Sequence, residues 1–151
     1  ARAAVTWSRY PPLGQRSVGV SRAHRYGMAF QEYVSTANEE LTLVLQVEHI
    51  EGVRNIASIV QVPGIDAILV GPFDLSGSLG LLGQITHPQV QEAIEEIRSH
   101  CQAAGVPLGI FTVDAQSAKQ YIARGFNLIA LSIDASYLWQ AARRALDDVR
   151  G

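Results

Sequence analysis

At 151 residues, with 48% hydrophobic and 17% charged side chains, the chain holds enough apolar material for one real core and too much for a disordered segment. A formal net charge of −2 and a pI of about 6.1 argue against a nucleic-acid or anionic-membrane partner. Cys101 is the single cysteine, which excludes an internal disulfide and fits a reducing, cytoplasmic setting. No run of about 18 apolar residues suits a membrane span, and the residues after Ala1 lack the layout of a signal peptide.

Residues 1–29 are punctuated by Pro11, Pro12, Gly14, Gly19 and Gly27 and carry Arg2, Arg9, Arg16, Arg22 and Arg25. They read as a long loop with a short helical stretch. From Phe30 the pattern is regular: Phe30, Tyr33, Val34 and Ala37 have helical spacing, ending near Asn38–Glu40. The run 41–47 (LTLVLQV) is short and apolar, as expected for a strand buried on both faces. A helix follows Glu48, with Ile50, Val53, Ile56, Ala57 and Val60 on one side and Pro63–Gly64 as its stop. A second buried strand spans 65–70 and runs into the loop GPFDLSGSLG. His87–Pro88 opens a long helix that Gly105 closes, with Val90, Ile94, Ile97 and Cys101 facing inward. The third strand is 107–112, then comes a helix N-capped by Asp114 and closed by Gly125. A fourth strand at 128–132 and a helix from Ser136 to about Val149 complete the chain.

Four strands, each followed by a helix, mean parallel βα units. Two closures fit: a small doubly wound sheet, which composition alone favours, or part of a (β/α)8 barrel. A full barrel takes about 250 residues, so four strands would be half of one, with two open edges and an unfilled interior.

Sites in such folds sit at the C-terminal ends of the strands. The first strand delivers Gln46 and Glu48, two residues apart and therefore on one face. The second delivers Asp74 through the Gly71–Pro72–Phe73 turn. Carboxylates from neighbouring strand ends can hold a hard cation such as Mg2+ or Mn2+. Spacing alone leaves open that Glu48 is a solvated strand end and Asp74 a helix cap. Backbone N–H groups around Phe73 and Asp74 could bind a carboxylate. His24, His49, His87 and His100 show no ligand spacing and read as surface or packing groups, with His49 on the opposite face from Glu48. Cys101 reads as inert core. The early arginines read as a solvated loop, with an anion-gripping role for one of them as the alternative.

Four segments together (LVLQVEHIEGV, VPGIDAILVGPFDLSGSLG, THPQVQEAI and GVPLGIF) resemble the HpcH/HpaI aldolase family, and RYPPLGQRSVG and RAHRYG resemble its loop upstream of the metal-binding Glu. The likeness runs in order over almost the whole chain. It implies the C-terminal portion of a (β/α)8 TIM barrel, with 1–29 a loop-rich lead-in and inter-subunit segment and 30–151 the C-terminal half of the aldolase domain. It implies a class II aldolase that cleaves 4-hydroxy-2-oxo acids to pyruvate and an aldehyde. Glu48 and Asp74 would be ligands of Mg2+, Mn2+ or Co2+, and Gln46, Phe73 and Asp74 would bind substrate. No Schiff-base lysine is needed, in keeping with Lys119 lying on a helix. The family's catalytic His and carboxylate-gripping Arg come from the N-terminal half barrel, and no residue of this chain inherits either role. Val20 follows Gly19 where relatives place a small polar residue, so aldehyde preference is not carried over. The resemblance further implies a homo-oligomer, in which the last helix is exchanged between subunits. The alternatives are a catalytically incomplete fragment or assembly module, or a related citrate-lyase-type or phosphoenolpyruvate-mutase-like lyase.

Overall fold

The computed structural model describes residues 1–151. Four strands, β1 (Val44–Val47), β2 (Ala67–Val70), β3 (Leu108–Thr112) and β4 (Leu128–Leu131), form one parallel sheet in the order β1-β2-β3-β4. That order decides between the two closures. A doubly wound sheet reverses strand order at a switch point, whereas barrel staves pair each with the next. The chain is α/β, with four consecutive βα units of a (β/α)8 barrel. The helices are α1 (Arg2–Ser8), α2 (Phe30–Glu40), α3 (Ile50–Arg54), α4 (Ile56–Ile59), α5 (Pro72–Ser78), α6 (Pro88–Ala104), α7 (Ala115–Ala123) and α8 (Asp134–Arg150).

Alternation along the strands gives the sheet two unlike faces. Val47, Val70, Ile110 and Ile129 lie in register, and with Leu45, Ile68 and Leu108 they face the helices. There they meet Val53 and Ile56 of α3–α4, Val90, Ile94, Ile97 and Cys101 of α6, and Tyr121 and Phe126 at the end of the α7 unit. The other face carries Val44, Gln46, Leu69, Gly109, Phe111 and Leu128, of which Val44, Gln46 and Leu128 stay exposed. The expectation of a first strand buried on both faces therefore fails. β1 is shorter, stands at the sheet edge, and has its inner face uncovered because the core helices pack on one side only.

Local signals account for most boundaries. His87 caps α6 by accepting the Gln89 N–H on Nδ1 (3.3 Å), Pro88 takes the first helical position, and Gly105 ends it in the left-handed region (φ 68°). Asp114 caps α7 by accepting the Ser117 N–H at 2.8 Å. The helix expected over 50–60 is two pieces. Asn55 sits between them at φ −102°, ψ 5°, its side-chain amide donating to the Glu51 carbonyl in competition with the helix ladder. α8 starts two residues before Ser136 and buries none of its residues.

The lead-in is more ordered than a loop. It contains α1 and a kinked 3-10 segment, Arg22–Gly27. Tyr10 exchanges backbone hydrogen bonds with the Asn38 side chain (2.7 and 3.0 Å), and Arg9 donates to the Asn38 carbonyl. His24 is buried against the Phe30 and Tyr33 rings, and Arg16 stacks over Tyr10. The histidine thus packs, and Arg9 and Arg16 hold structure instead of gripping an anion.

Candidate active site at the strand ends

β1 ends at Val47 and β2 at Val70, paired in register, so Glu48 and Gly71 leave the sheet side by side. The Gly71 N–H donates to the Val47 carbonyl at 3.2 Å, extending the ladder one step beyond the strands. Gln46 and Glu48 share the open face as alternation predicts, and the Gln46 amide donates to Glu48 Oε2 at 2.5 Å. Both side chains lie against Gly71. A β-carbon there would come within 2.8 Å of the Gln46 amide nitrogen and 3.0 Å of Glu48 Oε2, so glycine is what lets the pair lie over the β2 end.

Gly71 is also the N-cap of α5, with Pro72 at its first position. Its carbonyl accepts the Leu75 N–H at 3.0 Å. The Phe73 and Asp74 N–H groups precede that first helical bond and have no partner within the chain, as the start of a helix leaves them. Ser76, fully buried, accepts the Gly83 N–H (2.9 Å) and donates to the Phe73 carbonyl (2.6 Å), closing the loop around α5. Ser78 accepts the Ile50 N–H at 3.0 Å, across to α3.

The four expected residues, Gln46, Glu48, Phe73 and Asp74, thus lie on two adjoining strand ends, all solvent-accessible. Neither carboxylate is spent on an ion pair, since every Asp and Glu paired with an Arg lies elsewhere. Two hard-oxygen side chains outside any ion pair, Glu48 lying against Gly71, are of the donor type a divalent cation with open positions takes. No group of three or more His, Cys, Asp or Glu side chains is arranged to hold a metal ion, and Glu48 and Asp74 are the carboxylates at these two strand ends.

His49 does not point to the far face of β1. It lies beyond the strand as the N-cap of α3, Nδ1 accepting the Glu51 N–H at 3.1 Å. Cys101 is buried in α6, where desolvation pushes its thiol up to about 11, as suits an inert core group. Sequence reading missed the Ser78 bond. Its only signal is the second serine of LSGS, whose partner lies far back along the chain.

The model of the HpcH/HpaI aldolase/citrate lyase family matches residues 1–141, and the chain belongs to that family. Over 149 residues it is 44% identical to a hydroxypyruvate/pyruvate aldolase of Chromohalobacter salexigens, covering 97% of this chain and 58% of that protein. It is 41% identical to a 2-keto-3-deoxy-L-rhamnonate aldolase of Klebsiella pneumoniae, covering 97% of this chain and 55% of that one. The crystal structure of a family member from Burkholderia cenocepacia superposes with a TM-score of 0.88 at 41% identity, over 97% of this chain and 59% of that one. The chain therefore spans a little over half the length of the relatives it matches.

Proposed function

We propose that the chain carries the metal and pyruvate half-site of a class II aldolase, which cleaves a 4-hydroxy-2-oxo acid to pyruvate and an aldehyde. Glu48 and Asp74 would hold Mg2+, Mn2+ or Co2+, which supplies Lewis-acid polarisation of the substrate's keto group when bound. The Phe73 and Asp74 N–H groups, at the positive end of α5, would receive the substrate carboxylate. Gln46 would hold Glu48 in position and turn its amide toward substrate oxygen. No residue is assigned as general base. A complementary N-terminal half barrel would supply it, along with a carboxylate-gripping Arg, and its absence costs typically 10²–10⁴-fold in rate.

The observation that carries this reading is the Gln46–Glu48 pair lying over Gly71, at the root of the helix that bears Asp74. Calorimetric titration of Mn2+, with and without pyruvate, on the chain and on Asp74→Ala, tests it. Metal binding tightened by pyruvate and abolished in Asp74→Ala is expected. A folded chain that binds neither ligand overturns it.

The second reading is an assembly module that keeps the signature without the chemistry. The exposed face of β1 and β4, and α8 with Leu138, Trp139 and Val149 in solvent, favour a partner on either reading. We assign that partner as further copies of the chain together with the complementary half barrel, residues 1–29 and α8 being the inter-subunit segments. Native mass with metal binding supports the first reading, and native mass without it the second.

A further inference from the structure

We infer that Ser78 is a positioning residue for the metal pair, an inference that rests on the reading of Glu48 and Asp74 as ligands. Glu48 and His49 form a two-residue bridge between β1 and α3. On its N-terminal side, Val47 is tied to the β2 end by the Gly71 N–H at 3.2 Å. On its C-terminal side, the Ile50 N–H is tied to Ser78 Oγ at 3.0 Å. Both ties lead to the segment that carries Asp74, since α5 runs from Pro72 to Ser78. The bridge bearing one carboxylate is thereby clamped at both ends to the helix bearing the other.

Of the two ties, only the second is a side chain. Ile50 opens α3, so its N–H is one of the donors that a helix start leaves without an internal partner. His49 satisfies the next one along, accepting from Glu51, and Ser78 supplies the partner for Ile50 from another helix. The hydroxyl is itself oriented, because it donates to the Leu75 carbonyl at 2.8 Å one turn earlier in α5. Its lone pairs are therefore directed at α3. Ser76, the other serine of the motif, turns to Phe73 and Gly83 and has no bond to the Glu48 side. Groups that orient ligands without touching the metal typically change affinity by 10–100-fold when removed.

The test is Mn2+ affinity by calorimetry, with thermal unfolding run in parallel, on the chain, Ser78→Ala, Ser78→Thr and Asn127→Ala. Asn127 is the matched control: its Oδ1 accepts the Leu108 N–H at 3.0 Å, at the opposite end of the sheet. Ser78→Ala should weaken Mn2+ roughly tenfold, at the low end for such groups because Ser78 holds the backbone two residues beyond Glu48 and not the ligand itself. Ser78→Thr, which keeps the hydroxyl, should recover most of it. Asn127→Ala should lower the melting temperature and leave Mn2+ affinity unchanged. Wild-type affinity in Ser78→Ala overturns the inference, and so does an equal loss in Asn127→Ala, which would make the effect one of general stability. No Mn2+ binding by the unaltered chain overturns the metal reading itself and is thereby distinct from both.

Discussion

The two faces of the sheet follow opposite rules. On the helix side, Ile68, Val70 and Ile110 are wholly buried within one apolar cluster. On the other, Val44 and Leu128 remain 36% and 39% exposed, and Gln46 and Glu48 sit among them without a cation. Burial holds the strands in line, and the uncovered face is where their alignment is put to use. A helix-side residue should therefore matter to stability and little to ligands, and an open-face residue the reverse.

The sharpest way to break that contrast is Ile110→Ala, which deletes a fully buried side chain between β3 and the helices. It should cost about 2–5 kcal/mol in urea unfolding. Gly71→Ala comes next. Its new β-carbon must push aside the Gln46 amide and Glu48 Oε2, so Mn2+ affinity should fall roughly tenfold, read by calorimetry on a chain that still folds. The third is a pH effect from the helix side. The Cys101 thiol is raised to about 11 in the fold, so between its unfolded value and about 11 the unfolded chain binds fewer protons than the folded one. Stability from this group is complete below the unfolded value, declines as pH rises, and Cys101→Ala should flatten that decline in denaturation curves taken from about pH 8 upward. Smallest is Leu128→Ala on the open face, expected under about 1 kcal/mol by the same urea assay. A cost equal to that of Ile110→Ala would mean that both faces are packed alike.

Much of this was legible beforehand. Strand and helix order, the caps His87 and Asp114 and the stop at Gly105 are local signals that the sequence carries within a few residues. The Gln46–Glu48 pair was legible because a strand alternates regardless of what covers it. Burial was not: an apolar run such as LTLVLQV reads the same whether one face or both are covered, since coverage depends on elements distant in sequence. The break at Asn55 was missed because helical spacing of Ile50, Val53 and Ile56 continues across it. His24 looked like part of a basic loop because its partners, Phe30 and Tyr33, belong to the next helix. The Ser78 tie lay out of reach for the same reason, as a bond between helices has no spacing rule.

Ser132 joins the sheet to α8 and holds a left-handed backbone at φ 57°, a region that favours glycine. α8 buries nothing, so little besides this joint and the Tyr137 hydroxyl bond to the Leu131 carbonyl sets its heading. In mechanical terms, α8 is a lever roughly 25 Å long with its pivot at one residue. A 20° change at the pivot sweeps its tip by roughly 9 Å, more than the spacing of two strands. Ser132→Gly would therefore loosen the aim of the lever, so within one chain the hinge sets where α8 points before any partner covers it.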